Sequence, residues 1–122
     1  MKFVRFAYDQ KVFSGIIKEE KVVIIKGSIF GNFEETGPGY PLSSVKLLPP
    51  VIPTKIICIG RNYLEHIEEV KGKIPKEPNF FLKPSSSLIG HGDEIVIPSK
   101  AERVDYEGEM AIVVKDVLIN SI

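Results

Sequence analysis

The sequence predicts a mainly β chain of the α+β class, on two observations. Apolar or alternating runs of about four to eight residues recur along the chain, each closed by glycine, proline or a polar turn. Only one segment, near Tyr63 to Val70, has helical spacing.

The first run, Lys2 to Tyr8, alternates, so Phe3, Arg5 and their neighbours take opposite faces of a pleat. Asp9-Gln10 is a tight turn. Val12 to Lys18 and Val22 to Lys26 are two more short strands, parted by the charged turn Glu19-Glu20-Lys21. Residues 1–26 therefore read as an antiparallel meander. Residues 27–44 hold Gly27, Gly31, Gly37, Pro38, Gly39 and Pro41, a density that predicts a loop. Val45 to Leu48 is one further strand. Pro49, Pro50 and Pro53 set a rigid boundary, which divides the chain into a small N-terminal antiparallel β region, 1–50, and a second unit, 51–122.

The second unit opens on Lys55 to Ile59, a continuous apolar run expected as a fully buried strand. Asn62 is the expected N-cap of a short helix, Tyr63 to Val70. Lys71 to Pro78 is a loop, Asn79 to Lys83 a strand, and Pro84 to Ser87 a turn. Glu94 to Ile97 is a short strand stopped by Pro98. Val104 to Lys115, rich in β-branched residues, is a long strand with a bulge at Gly108.

Composition narrows the function. Hydrophobic residues make up 43% and charged residues 26%, a globular balance. Sixteen basic and sixteen acidic side chains cancel, which argues against a nucleic-acid surface or a polybasic membrane patch. No apolar run approaches the roughly 20 residues that cross a bilayer, and the first residues carry no signal-peptide core. A cytoplasmic protein is the expectation. The single cysteine, Cys58, sits in an apolar run and reads as a small buried hydrophobe.

Two groups of residues have the makings of chemistry. On a strand, Glu107 and Glu109 of Tyr106-Glu107-Gly108-Glu109 share a face. Two carboxylates that close repel unless a proton or a cation lies between them, and hard divalent ions take oxygen donors. The plain alternative is a solvated strand face; the apolar run Met110 to Val114 weighs against it, because charges at the mouth of a buried strand need compensation. On a helix, His66 and Glu69 are three apart and hence neighbours. A carboxylate beside an imidazole orients the ring and suits it to act as a general base; the alternative is an ordinary polar helix face. Lys83, at a strand end, has an ammonium suited to an anionic substrate; taken in isolation, a surface lysine at a strand end is the better reading. His91, between Gly90 and Gly92, reads as a turn residue. No phosphate-binding glycine loop, nucleophile elbow or paired-cysteine metal motif occurs.

Four runs in register resemble the fumarylacetoacetate hydrolase family over about residues 54–115. They are Ile59-Gly60-Arg61-Asn62-Tyr63-Leu64-Glu65-His66, Pro78-Asn79-Phe80-Phe81-Leu82-Lys83-Pro84-Ser85-Ser86-Ser87-Leu88, Gly92-Asp93-Glu94-Ile95-Val96-Ile97-Pro98 and Val104-Asp105-Tyr106-Glu107-Gly108-Glu109-Met110-Ala111. The resemblance implies a mixed β-roll, of which this chain holds the first part, and a Mg²⁺ or Mn²⁺ ion held by three carboxylates. Glu107 and Glu109 match two of them; the family's third ligand, an aspartate, falls beyond residue 122, because Asp116 follows the strand too closely. His66 and Glu69 match a water-activating dyad on a short lid. Arg61 and Lys83 match substrate-facing cations. Family members act on small 2-oxo acids by C–C bond hydrolysis, isomerisation or decarboxylation through a metal-stabilised enolate, and are usually homodimers. The expectation is thus an incomplete enzyme, by itself inactive, that forms a homodimer or associates with a missing C-terminal portion. The alternatives are a non-catalytic β module for binding or assembly, and a pseudoenzyme that binds metal weakly.

Overall fold

Alternation in the first fifty residues becomes a five-stranded antiparallel sheet: β1 (Lys2–Tyr8), β2 (Lys11–Lys18), β3 (Lys21–Gly27), β4 (Phe33–Pro41) and β5 (Lys46–Leu48), in the order β4-β3-β2-β1-β5. The computed structural model describes residues 1–115. By its internal contacts the chain forms two units, Met1–Val51 with the segment from Gly90 onward, and Ile52–Ile89.

Tight turns set the register of the sheet. Tyr8 opposes Lys11, so Asp9 and Gln10 are the whole β1–β2 loop, and both have positive φ, 46° and 60°. That is the backbone of a two-residue hairpin whose twist matches the strands. Phe6 then opposes Phe13 on one side and Leu47 on the other. Phe6, Ile16 and Val22 are completely buried and Ile25 nearly so. Cross-strand pairing puts Phe6 and Val22 on one face, with Phe13 and Tyr40, and Ile16 and Ile25 on the other. Aromatic pairs reinforce both faces: Phe6–Phe13 at 5.6 Å and Phe6–Tyr40 at 6.2 Å on one, and Phe3–Phe33 edge-to-face at 5.3 Å on the other.

Residues 33–41, expected as loop, are strand β4. Its position at the sheet edge explains the difference, because an edge strand tolerates proline where a central one does not. Ile24 opposes Thr36 while Val23 opposes Gly39, so Gly37 and Pro38 are extruded as a bulge, with Gly37 at φ 73°.

A turn at Gly90–Asp93 docks on β5. Lys46 Nζ lies 2.9 Å from Asp93 Oδ1, and the Gly90 N–H donates to Asp93 Oδ2 at 2.8 Å. A β-carbon on Gly90 would stand 2.9 Å from the Leu47 carbonyl oxygen, so the fit requires glycine. The Lys46 ammonium, and after it the Gly90 N–H, hold the Asp93 carboxyl below its ordinary value. A lowered folded-state value means that the stabilisation is present above the unfolded carboxylate's value of about 3.9 and is lost as pH falls through the folded one. The thermal midpoint of wild type should therefore drop more steeply than that of Asp93→Asn on the acid side of about pH 4. Parallel curves would remove this clasp from the account.

The second unit holds β6 (Ile56–Gly60) and β7 (Asn79–Lys83), an isolated antiparallel pair, and helix α1 (Leu64–Glu69) between them. Two expectations need correction here. β6 is not fully buried: Ile57 and Ile59 are exposed and Cys58 is half-buried, because a two-stranded sheet has no second layer over that face. The helix is capped by Tyr63, without a side-chain bond, and not by Asn62.

The two strands expected at residues 94–97 and 104–115 do not form, and Gly108 therefore marks no bulge. A strand is stable only when its N–H and C=O groups meet a neighbouring strand, and none of the described strands pairs with these segments. Asp116 and the tail 117–122 lie outside the described residues.

Candidate functional site

The loop leaving β6 carries Arg61 and Asn62 directly into α1, a helix of six residues. Its amphipathic anchor is Ile67, the one buried residue of the helix. Anchoring at Ile67 leaves His66 half-buried and Glu69 exposed on the opposite side. The helical spacing brings these two together as expected, with His66 Nδ1 at 3.6 Å from Glu69 Oε2. Both groups are well solvated, so the pair contributes only a few tenths of a kcal/mol to stability. Its interest lies in orientation: the carboxylate faces Nδ1 of the imidazole and bears on how the ring is set.

The end of α1 is a Schellman motif. The Lys71 N–H donates to the Glu68 carbonyl at 2.9 Å and the Gly72 N–H to the Ile67 carbonyl at 2.8 Å. Lys71 occupies the left-handed position, at φ 51°, where glycine is favoured. Lys71→Gly should relieve that strain and stabilise the unit by about 0.5–1 kcal/mol, read as a raised urea midpoint with an unchanged slope. A lowered midpoint would show that the lysine side chain matters more than its backbone. Gly72, which marks the sequence after the helix as loop, is also the glycine just past a helix that acts as a stop signal. A β-carbon there would stand 2.5 Å from Arg61 Nη1. The guanidinium of Arg61 therefore lies across Gly72, at the C-terminal end of the helix that carries His66 and Glu69.

Lys83 ends β7 opposite Ile56, with its ammonium 6.0 Å from the centre of the Phe81 ring. That ring in turn lies over Gly60, where a β-carbon would be 3.2 Å from Phe81 Cε1. Gly60, Phe81 and Lys83 thus form one side of the hairpin beside the start of the Arg61 loop. His91 sits in the Gly90–Asp93 turn, as read from the sequence.

Glu107 and Glu109 belong to the other unit. Both are exposed and neither is on a strand, so the shared pleat face expected of them is absent from the described structure. Two glutamates suit Mg²⁺ or Mn²⁺ in kind, since both ions prefer hard oxygen donors. They fall short in number: among the described residues, no three His, Cys, Asp or Glu side chains come together as a metal-binding group.

Residues 55–120, more than half of the chain, match the family model for the fumarylacetoacetate (FAA) hydrolase C-terminal region, and residues 1–50 match the Rv2993c-like N-terminal model. A protein of unknown role from Archaeoglobus fulgidus is 48% identical over 101 residues, which are 76% of this chain and 40% of the relative. Human mitochondrial oxaloacetate tautomerase FAHD2B is 44% identical over 78 residues, 63% of this chain and 25% of the enzyme. The crystal structure of 5-carboxymethyl-2-hydroxymuconate delta-isomerase from Mycobacterium smegmatis superimposes with a TM-score of 0.71 at 32% identity, over 84% of this chain and 40% of the isomerase. The chain thus spans well under half the length of these relatives. Matched by the family model over most of its second half, and by enzymes of that fold in both sequence and backbone, this chain belongs to the fumarylacetoacetate hydrolase family.

Proposed function

We propose that this chain supplies the lid and part of the metal site of an enzyme that moves a proton on a small 2-oxo acid. The observation that carries the reading is the His66–Glu69 pair on α1, at 3.6 Å, immediately after the Gly60-Arg61-Asn62 turn. Relatives named as a tautomerase and an isomerase favour keto–enol exchange over C–C hydrolysis or decarboxylation, which need the same enolate. Glu69 orients the imidazole through Nδ1, and Nε2 takes up and returns the proton. Arg61 and Lys83 neutralise the substrate's carboxylates. Glu107 and Glu109 would hold a divalent ion, Mg²⁺ or Mn²⁺, with further donors from outside the described residues. Such an ion, when bound, polarises the keto and carboxylate oxygens of the substrate.

A graft tests the reading. The matching 78 residues of this chain replace their counterpart in the human tautomerase, and oxaloacetate keto–enol exchange is followed by ultraviolet absorbance. Retained exchange supports competent site residues; a folded graft without exchange overturns the proposal. The carboxylate pair is checked in the same protein. Glu107→Ala with Glu109→Ala should weaken Mn²⁺ binding at least about a hundredfold, equivalent to about 3 kcal/mol, in a calorimetric titration. Unchanged affinity would take both residues out of the metal site.

A further inference from the structure

Gly72 is a glycine that the backbone of its own turn does not demand. The left-handed residue of the Schellman motif is Lys71 before it, at φ 51°. Gly72 does not have a positive φ, so its backbone would accept an L side chain. This position, the second beyond the helix, often carries an apolar side chain that packs back on the last turn. A glycine forgoes that contact. The helix does not exclude a side chain either: a β-carbon would stand 3.4 Å from the Ile67 carbonyl oxygen and 3.5 Å from Val70 Cγ2, both ordinary contacts. The group it would collide with is Arg61 Nη1, at 2.5 Å.

Arg61 is exposed, and no carboxylate among the described residues pairs with it. Its guanidinium rests against the turn and keeps its charge for an incoming anion. A long side chain that is already seated loses less freedom on binding than one gathered from solution. We propose that Gly72 is a positioning residue for the substrate: it leaves open the volume in which the Arg61 guanidinium rests, and so sets where that cation meets a carboxylate of a small 2-oxo acid. The inference deepens the proposed function and rests on its assignment of Arg61 to the substrate's carboxylates, but not on proton transfer by His66.

Two measurements test it. In the full 122-residue chain, nuclear Overhauser contacts should join the Arg61 side-chain protons to the Gly72 α-protons. In the tautomerase graft, Gly72→Ala should weaken oxaloacetate binding at least about tenfold in a calorimetric titration, and should raise KM while kcat stays within about twofold. Arg61→Ala should cost at least as much. Adding Gly72→Ala to it should cost nothing more, since no guanidinium remains to be displaced. The same background guards against misfolding: if Gly72→Ala unfolds the graft through this contact, the double variant should fold. A graft that binds oxaloacetate without exchanging it ends the proton-transfer reading, and the affinities still decide the role of Gly72. Four results overturn the proposal: absent Overhauser contacts, unchanged affinity in Gly72→Ala, the same loss or unfolding with and without Arg61, or a wild-type graft that binds no oxaloacetate.

Discussion

Replacing His66 by alanine in the tautomerase graft is expected to lower keto–enol exchange by about 10²–10⁴-fold, the range of a general acid–base group. Metal affinity should stay as it was, because the imidazole is proposed to act on the proton and not on the ion. Glu69→Gln keeps shape and removes charge. It should lower exchange by less than His66→Ala, since its part is to orient the ring through Nδ1 at 3.6 Å. The two losses should not add, because Glu69 acts through His66. A His66→Ala graft at full rate would leave α1 a structural cover and nothing more. The half-buried imidazole and exposed carboxylate also predict a stability nearly untouched by either change, so a loss of rate would not be a loss of fold.

Phe6→Ala is expected to cost the N-terminal sheet about 3–5 kcal/mol. That is a large share of the roughly 5–15 kcal/mol that holds an ordinary domain together. Phe6 has no exposure, sits between Phe13 and Leu47 across both neighbouring strands, and meets Tyr40 from the sheet edge. No single neighbour can relax into the space it leaves. Gly15 shows how tight that space is: a β-carbon there would lie 2.7 Å from the Val23 carbonyl oxygen and 2.9 Å from Phe6 Cε1. Urea unfolding followed by far-ultraviolet dichroism gives the number. A loss below about 1 kcal/mol, the scale of a surface change, would mean that the sheet repacks and that Phe6 is not its keystone.

Much of this could be read from residues alone. The bounds of β1 and β7 fall where alternation and prolines put them, and the helical spacing of His66 and Glu69 places them side by side. Asp9-Gln10 and Glu19-Glu20 turn the chain where expected. The glycines and prolines of residues 33–41 misled, because the same residues that break a central strand are compatible with a bulged edge. The role of Asp93 was hidden as well: its partner Lys46 is remote in sequence, and only the docked turn brings the two charges to 2.9 Å.

The amino-acid order by itself determined the strand periods, the hairpin turns and the helical pairing, since each follows from contacts between residues close along the chain. Tertiary structure alone decided which strands have neighbours. Residues 94–97 and 104–115 have the composition of strands and remain unpaired among the described residues. A β-strand draws its stability from hydrogen bonds to another strand, so no local pattern can supply what the ladder must.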